Sequence, residues 1–208
     1  MSWRAGTVAG VKARIMRISF SGEMSFEVNV PSNSGAHVWK ALMAAGADLN
    51  ITPYGTEAMH VLRAEKGYII VGQDTDGSIT PFDLGMGGMV AKTKDFLGRR
   101  SLTRSHTAGP DRKQLVGLMT DEAQLVLPEG TQLTDSAQAS PPPVPMIGHV
   151  TSSYYSPTLN RSIAMAVVRS GTQRMGQKIY ASLVDGRYVA ATVCSPVFYD
   201  PEGKRLHA

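Results

Sequence analysis

Short apolar runs separated by glycine and proline divide the second half of this 208-residue chain. The runs are QLVGLM, GHVTSS, IAMAVV, KIYASLV and YVAATVC, each six or seven residues long. Runs of about four to eight residues bounded by turn signals are typical of buried strands, whereas buried helices need about ten or more. This pattern predicts an all-β unit.

The first half begins with a different pattern, a strand pair around a tight turn. Apolar and polar residues alternate over residues 11–20 and again over residues 25–30. The sequence SGEM between them supplies the turn residues. Alternation on both sides of a turn predicts a β-hairpin.

Two helices are predicted after this hairpin. In SGAHVWKALMAAG, Val38 and the small alanines fall on one side of a helix that ends near Gly46. In ITPYGTEAMHVLRAEKG, Thr52 or Thr56 begins a second helix and Gly67 ends it. A strand pair followed by packed helices indicates an α+β unit.

The change of pattern near residues 105–113 predicts two domains. Residues 1–108 are expected to form an antiparallel sheet with packed helices, and residues 109–208 the all-β domain. Turn signals dominate residues 68–89, and irregular segments of this length usually line a site. The proline-rich sequence DSAQASPPPVPM is expected to be an exposed loop.

Charge and cysteine content exclude several classes of protein. The formal charge of +4 is spread along the chain apart from short clusters such as residues 92–104. Nucleic-acid binding needs a denser basic stripe, so a small anionic ligand is favoured. No apolar run approaches the roughly 20 residues that cross a bilayer. The single cysteine, Cys194, fits a reducing compartment, and we expect a cytoplasmic protein with no nucleic-acid or membrane partner.

Motifs for self-contained catalysis are absent from the sequence. It has no glycine fingerprint for a dinucleotide, no phosphate-binding loop and no GxSxG serine elbow. The five histidines lack metal-ligand spacing, and DTDG is interpreted as a turn. Cys194 in AATVC is interpreted as a small buried strand residue. We therefore expect neither a catalytic residue nor a metal site.

Several longer blocks resemble one known family. RISFSGEMSFEVNVP, ITPYGTEAMHVLRAEKGYIIVGQDTDGSITPFDLG, KDFLGRRSL, GHVTSSYYSPTLNRSIAMAVV and VFYDPEGKR look like the C-terminal part of the glycine-cleavage T-protein (aminomethyltransferase) family. The form YGTEAMHVLRAEKGYIIVGQDTDG is most similar to the branch found in alpha subunits of heterotetrameric sarcosine oxidases. The resemblance implies part of a tetrahydrofolate-binding domain followed by a small β-barrel, with the N-terminal half of the folate domain missing.

The resemblance also explains the two carboxylates beside the SGEM turn. A pterin ring presents a ring N–H and an exocyclic amine side by side, and one carboxylate can accept both hydrogen bonds. Glu27 matches the family's pterin acceptor, and Phe20 matches a position with an aromatic residue near the folate ring. Glu23 is expected to stabilise the hairpin. Spacing alone leaves open that Glu27 is a solvated strand residue and Phe20 a core residue.

Two further residues complete the candidate folate site. Tyr68 is expected to border the pocket with the loop that follows it, and Arg63 matches the family motif LRAEKG. For Arg63 and for Glu65 of the same motif, a structural ion-pair role is an equal alternative to ligand contact. Family members carry an Arg-Asp pair for the folate tail where this chain has Met59 and His60, so tail contacts are not expected there.

The resemblance implies a role in sarcosine oxidation. The one-carbon unit of oxidised sarcosine would pass to tetrahydrofolate held by this chain, while FAD, FMN and NAD are expected only in the full complex. The expected partners are the other sarcosine oxidase subunits and the N-terminal part of the alpha subunit. Alone, the chain is expected to be inactive. Two alternatives stay open: a stand-alone folate-dependent aminomethyl or methyl transferase, and a non-catalytic assembly module.

Overall fold

A computed structural model of the chain describes residues 1–137, 141 and 143–207. These residues form two compact units. The N-terminal unit comprises Met1–Arg63 together with the C-terminal segment from Glu202, and the barrel unit comprises Ala64–Pro201. Within the described residues, no helix has both the length and the apolar character needed to cross a membrane.

A three-stranded antiparallel sheet forms the centre of the N-terminal unit. Its strands are β1 (Ser2–Val8), β2 (Val11–Arg17) and β3 (Phe26–Asn29), in the order β1-β2-β3. The predicted hairpin of β2 and β3 is confirmed. The sequence did not predict strand β1. It is joined to β2 by a two-residue turn at Ala9 and Gly10, which have φ angles of 48° and 78°. Positive φ angles at both central residues are typical of a type I′ turn, whose twist matches that of the flanking strands.

The pairing register assigns side chains to the two faces of this sheet. Trp3, Met16 and Glu27 lie opposite one another in one row. Arg17 and Phe26 are paired in the next row. Because successive side chains on a strand point to opposite faces, Glu27 and Phe26 belong to different faces. We call these the Glu27 face and the Phe26 face.

The helices begin and end close to their predicted positions. Helix α1 spans Gly35–Ala45, and α2 spans Thr56–Glu65, so Thr56 rather than Thr52 begins the second helix. A short helix, α3, spans Ser105–Ala108. The 3₁₀ segments are Ser32–Ser34, Ala47–Leu49, Gly87–Met89, Arg99–Thr103, Gly171–Arg174 and Lys204–Leu206.

The barrel unit contains a closed antiparallel barrel in the order β4-β7-β6-β5-β8-β9. Its strands are β4 (Lys113–Thr120), β5 (Gln132–Thr134), β6 (Gly148–Ser156), β7 (Arg161–Arg169), β8 (Lys178–Ser182) and β9 (Tyr188–Cys194). Four of these strands, β4, β6, β7 and β9, contain a whole predicted run, and β8 contains the first five residues of the fifth run, KIYASLV. The sixth, β5, has only three residues, yet it pairs with both β6 and β8 and so closes the barrel.

Alternating apolar residues fill the barrel. In β9, Val189, Ala191 and Val193 are buried, whereas the residues between them are half-buried. They pack with Val116, Leu133, Val150, Val168 and Ile179, among other buried residues. Much of the unit's stability therefore comes from apolar area removed from water.

Two loops correspond to the irregular segments predicted from the sequence. Residues 68–89 consist of turns and irregular backbone apart from the single 3₁₀ turn at their end. Of the proline-rich segment 135–146, residues 138–140 and 142 lie outside the described residues. The described residues of that segment are exposed except Val144, which is half-buried.

An arginine clamp fastens the end of the first loop to the start of the barrel. Arg112 Nε donates to both carboxylate oxygens of Asp83, at 2.9 and 3.0 Å, and Arg112 Nη2 donates to Asp83 Oδ2 at 2.6 Å. Thr80 donates its N–H and its hydroxyl to the same carboxylate, both at 2.7 Å. The Asp83 carbonyl accepts the N–H of Leu115 in β4, which continues the connection into the barrel.

Charge and hydrogen bonding shift the pKa of this carboxyl group. Burial raises the pKa of Asp83, but the hydrogen bonds from Arg112 and Thr80 outweigh that effect and hold the pKa below its ordinary value. A lowered folded-state pKa means that the ionised group stabilises the fold. Its contribution is complete above the unfolded-state pKa and disappears as the pH falls through the folded-state pKa.

We predict that Asp83→Asn lowers the free energy of unfolding of the barrel unit by about 2 kcal/mol near neutral pH, because it removes the charged partner of a mostly buried guanidinium. The difference from wild type should shrink below the ordinary Asp pKa of 3.8. Urea unfolding over a pH series measures both effects. Asp185→Asn is the control, since its pair with Arg187 is exposed and should matter little. Equal stability of Asp83→Asn and wild type at neutral pH would contradict the clamp.

Candidate functional site

The Glu27 carboxylate is exposed on one face of the N-terminal sheet. Glu27 is exposed in the middle of β3, directly opposite Met16 of β2. Within the described part of the chain, its carboxylate has neither a hydrogen-bond nor a salt-bridge partner. An exposed acceptor with all of its lone pairs available is suited to a ligand that brings two adjacent donors.

Phe20 lies in the turn that precedes β3. The turn is ordered by short-range hydrogen bonds: Gly22, with φ 82°, donates its N–H to Ser19 Oγ at 3.0 Å, and Ser25 Oγ donates to the Glu23 carbonyl at 3.1 Å. Phe20 is 37% exposed, so its ring is available to a ligand. The hairpin thus carries both Phe20 and the candidate acceptor.

Glu23 has a structural partner, in contrast to Glu27. Arg205 Nε donates to Glu23 Oε1 at 2.5 Å, and the Met24 N–H donates to the Arg205 carbonyl at 3.1 Å. Arg17 Nη2 donates to the Leu206 carbonyl at 3.2 Å. The C-terminal segment therefore attaches to the turn through Glu23, which leaves Glu27 as the available acid of the pair.

The other two candidate residues have different surroundings. Arg63, near the end of α2, is completely buried in the structure, which favours its structural interpretation. Tyr68 is half-buried and belongs to the barrel unit. Glu65 accepts a hydrogen bond from Ser156 Oγ at 2.6 Å, so this acid of LRAEKG has a structural contact. Of the four candidates, Phe20 and Glu27 are the two brought together on one hairpin.

A buried carboxylate that sequence reasoning missed, Asp74, positions the loop after Tyr68. Asp74 is 1% exposed, and its Oδ1 accepts hydrogen bonds from Thr151 Oγ1 and Ser152 Oγ, both at 2.6 Å. Its Oδ2 accepts the Ile70 N–H at 2.9 Å. The sequence DTDG indicated only a turn, and no local signal shows that its first acid is buried against a strand 77 residues away.

A β-bulge makes the double contact to Asp74 feasible. Consecutive strand residues normally point to opposite faces. The register between β6 and β7 shifts between Val150 and Ser152, so Thr151 is the extra residue. A bulge re-aims side chains in this way, and here two consecutive hydroxyls reach one carboxylate oxygen.

The same loop borders a small polar cavity. Its volume is about 230 Å³, and it is lined by Gly72, Gln73, Asp74, Thr75, Asp76, Ile79, His149 and Val167. Burial and the nearby Lys113 lower the pKa of His149, although Asp76 opposes the shift. The neutral imidazole is therefore favoured near neutral pH. Gln73 Nε2 donates to Glu129 Oε1 at 2.8 Å and to Ser152 Oγ at 3.2 Å, so its amide is used structurally.

Nucleophilic and metal chemistry gain no support from the described residues. Burial raises the pKa of Cys194 to about 11, with a smaller opposing effect from Arg161, so its thiolate is scarce at neutral pH. Cys194 ends β9 and is half-buried rather than fully buried. Among the described residues, no group of three or more His, Cys, Asp and Glu side chains is placed to hold a metal ion.

We predict that Asp74→Asn loosens the loop over residues 70–83. The new amide N–H₂ cannot accept the hydrogen bonds that the carboxylate receives, so at least one donor from Thr151, Ser152 or Ile70 is left unsatisfied. Hydrogen exchange of the loop amides should accelerate, starting with Ile70. Asp76→Asn is the control, because Asp76 bonds only locally to Ser78. Unchanged exchange in Asp74→Asn would contradict the positioning role.

The combination of an α+β unit with a closed six-stranded barrel is that of an aminomethyltransferase-like protein. The crystal structure of glycine cleavage system aminomethyltransferase T from Bartonella henselae superimposes with a TM-score of 0.77 and 26% sequence identity. The match covers 91% of this chain and 50% of that one.

Two family models match successive parts of the sequence. Residues 1–94 match the GCVT N-terminal domain, and residues 113–200 match the glycine cleavage T-protein C-terminal barrel domain. The chain belongs to the glycine cleavage T-protein family, as the resemblance of its sequence blocks predicted.

Curated relatives of two kinds match this chain. The sarcosine oxidase subunit alpha of Corynebacterium sp. (strain U-96) is 50% identical over 198 residues, which are 95% of this chain and 20% of that protein. The aminomethyltransferase of Halothermothrix orenii is 34% identical over 179 residues, which are 86% of this chain and 48% of that protein. The chain thus spans about a fifth of the first relative and about half of the second.

Proposed function

We propose that this chain is the folate-binding C-terminal portion of a sarcosine oxidase alpha subunit and helps pass the one-carbon unit of oxidised sarcosine to tetrahydrofolate. The observation that carries this proposal is the exposed, unpartnered carboxylate of Glu27 beside the turn that holds Phe20. The 50% identity to a sarcosine oxidase subunit alpha supports the choice of enzyme.

The residues of the hairpin fit a pterin. A carboxylate can accept a ring N–H and an exocyclic amine as a paired, charge-assisted hydrogen bond, and Glu27 has no competing protein donor among the described residues. Phe20 offers an exposed ring for stacking at the same hairpin. Tyr68 and Arg63 remain proposed members of the site, with Arg63 acting through the buried end of α2 rather than by direct contact.

The chemistry proposed for this chain is positioning. Tetrahydrofolate, when bound, supplies the nitrogen nucleophiles that take up the one-carbon unit. Glu27 holds the pterin in a fixed orientation, which raises the effective concentration of the acceptor where the reactive carbon arrives. None of the four candidate residues has to move a proton in this role. The isolated chain is expected not to oxidise sarcosine, because the flavins are expected only in the full complex.

The other features of the complex are proposed on the same basis. FAD, FMN and NAD are assigned to the full sarcosine oxidase, and the proposed partners are its other subunits and the N-terminal part of an alpha subunit. The boundary between the folate-binding domain and the barrel domain is proposed at residue 108. The two family models support it, since they leave residues 95–112 between them.

A second candidate function is a folate-dependent aminomethyl transferase. The 34% identity to the Halothermothrix orenii aminomethyltransferase favours it. Both functions use the same pterin acceptor, so they differ in the donor of the one-carbon unit rather than in the role of Glu27. Transfer of the one-carbon unit from sarcosine in the full complex, with no transfer from an aminomethyl donor, would select the oxidase.

We predict that Glu27→Gln weakens tetrahydrofolate binding by about 2 kcal/mol, or roughly thirtyfold. The glutamine amide has one acceptor oxygen where the pterin needs two, and its N–H₂ group would face one of the pterin donors. Titration calorimetry under reducing conditions measures the change. Glu23→Gln is the matched control, since Glu23 is bound to Arg205 and should not contact folate.

Two results would count against this proposal. Wild-type affinity in Glu27→Gln would show that the pterin is held elsewhere. No folate binding by a folded wild-type chain, together with retained binding to a flavin-containing subunit, would select the assembly module. Circular dichroism of each variant establishes that the chain is folded before binding is compared.

A further inference from the structure

A cleft of about 340 Å³ lies on the Phe26 face of the N-terminal sheet. Five of its lining residues belong to that face: Ser2, Arg4, Ile15, Arg17 and Phe26. The sixth, Trp3, lies on the edge strand β1 and belongs to the Glu27 face. The set combines two guanidinium groups with apolar and aromatic surface, and it contains no carboxylate. The cleft is distinct from the candidate pterin site, because the pairing register assigns Glu27 to the opposite face of the sheet.

The register brings the two arginines to one point. Arg4 of β1 is paired with Ile15 of β2, and Arg17 is two residues further along β2 on the same face. Diagonal neighbours of this kind are about 7–8 Å apart at the backbone, which is within reach of two long side chains. Two guanidinium groups can therefore converge on a single anion.

Phe26 supplies the apolar part of the same cleft. It is paired with Arg17 across β2 and β3, and the residue is 58% exposed. Ile15 lies beside them in the lining and is half-buried. An exposed phenyl ring next to an aliphatic side chain offers a surface on which a flat apolar ligand can lie.

The arginines differ in how firmly they are held. Arg17 Nη2 donates to the Leu206 carbonyl at 3.2 Å, which fixes the end of its side chain while other N–H groups remain available. Arg4 has no hydrogen-bond or ion-pair partner within the described residues. Arg4 is therefore an available cation beside an anchored one. The residues of β1, β2 and β3 that share the Phe26 face include no acidic residue to neutralise them.

We propose that this cleft binds a small aryl carboxylate. The carboxylate lies between Arg4 and Arg17, which donate planar, charge-assisted hydrogen bonds. The aromatic ring lies over Ile15 and Phe26. This site is separate from the proposed pterin acceptor and does not depend on tetrahydrofolate binding, because Glu27 lies on the other face of the same sheet.

Benzoate is the probe for this proposal, titrated into the ¹⁵N-labelled chain and followed by amide chemical shifts. We expect saturable shifts at the cleft residues of β1 and β2. Arg4→Gln and Arg17→Gln should each weaken binding at least about tenfold, as expected for losing a charged hydrogen bond. Arg14→Gln is the matched control, since Arg14 lies on β2 but belongs to the Glu27 face.

Two comparison ligands separate the proposal from weaker explanations. Benzamide keeps the ring and removes the charge, and acetate keeps the charge and removes the ring. Benzoate should bind more tightly than either at equal ionic strength. Equal binding of benzamide, equal binding of acetate, or wild-type affinity in both Arg4→Gln and Arg17→Gln would overturn the proposal. A preserved amide spectrum in each variant shows that a loss of binding is not a loss of fold.

Discussion

The register between β2 and β3 is the constraint on which both proposed sites depend. Met16 is paired with Glu27, and Arg17 with Phe26. A slip of one residue would exchange the two faces of β3, placing the Glu27 carboxylate on the face of Arg4 and Arg17 and the Phe26 ring on the opposite face. The conformation of the turn before β3 therefore affects both sites. The positive φ of Gly22 and its hydrogen bond to Ser19 set the residue at which β3 starts, and with it the register.

In the barrel unit, two buried acids hold the long loop in place by different means. Asp83 uses charge, through a bidentate interaction with Arg112. Asp74 uses neutral donors, through two hydroxyls brought together by the bulge at Thr151. Both acids belong to residues 68–89, the segment with the strongest turn signals. Aspartates there look like surface turn residues in the sequence, yet these two are buried and attach the loop to the barrel. An irregular loop needs such anchors because it has no ladder of backbone hydrogen bonds.

Periodicity predicted the elements whose residues repeat regularly, and it failed where one unusual residue decides the structure. Strand β1 was missed because Ala9 adopts a positive φ, which Ala rarely does, so its turn carried no glycine-glycine or asparagine-glycine signal. Strand β5 was missed because three residues cannot show a period. For the site, spacing could place Glu27 beside a turn, and only the family resemblance suggested its role. The burial of Asp74 depends on a strand far along the chain, which no local pattern reveals.

A crystal structure of the chain with 5-formyltetrahydrofolate, a stable analogue of the proposed ligand, tests the central claim most directly. The account predicts that the pterin ring N–H and exocyclic amine both lie about 2.7–3.1 Å from the Glu27 carboxylate oxygens, with the ring against Phe20. A pterin bound on the Phe26 face, or one whose two donors meet groups other than Glu27, would contradict it.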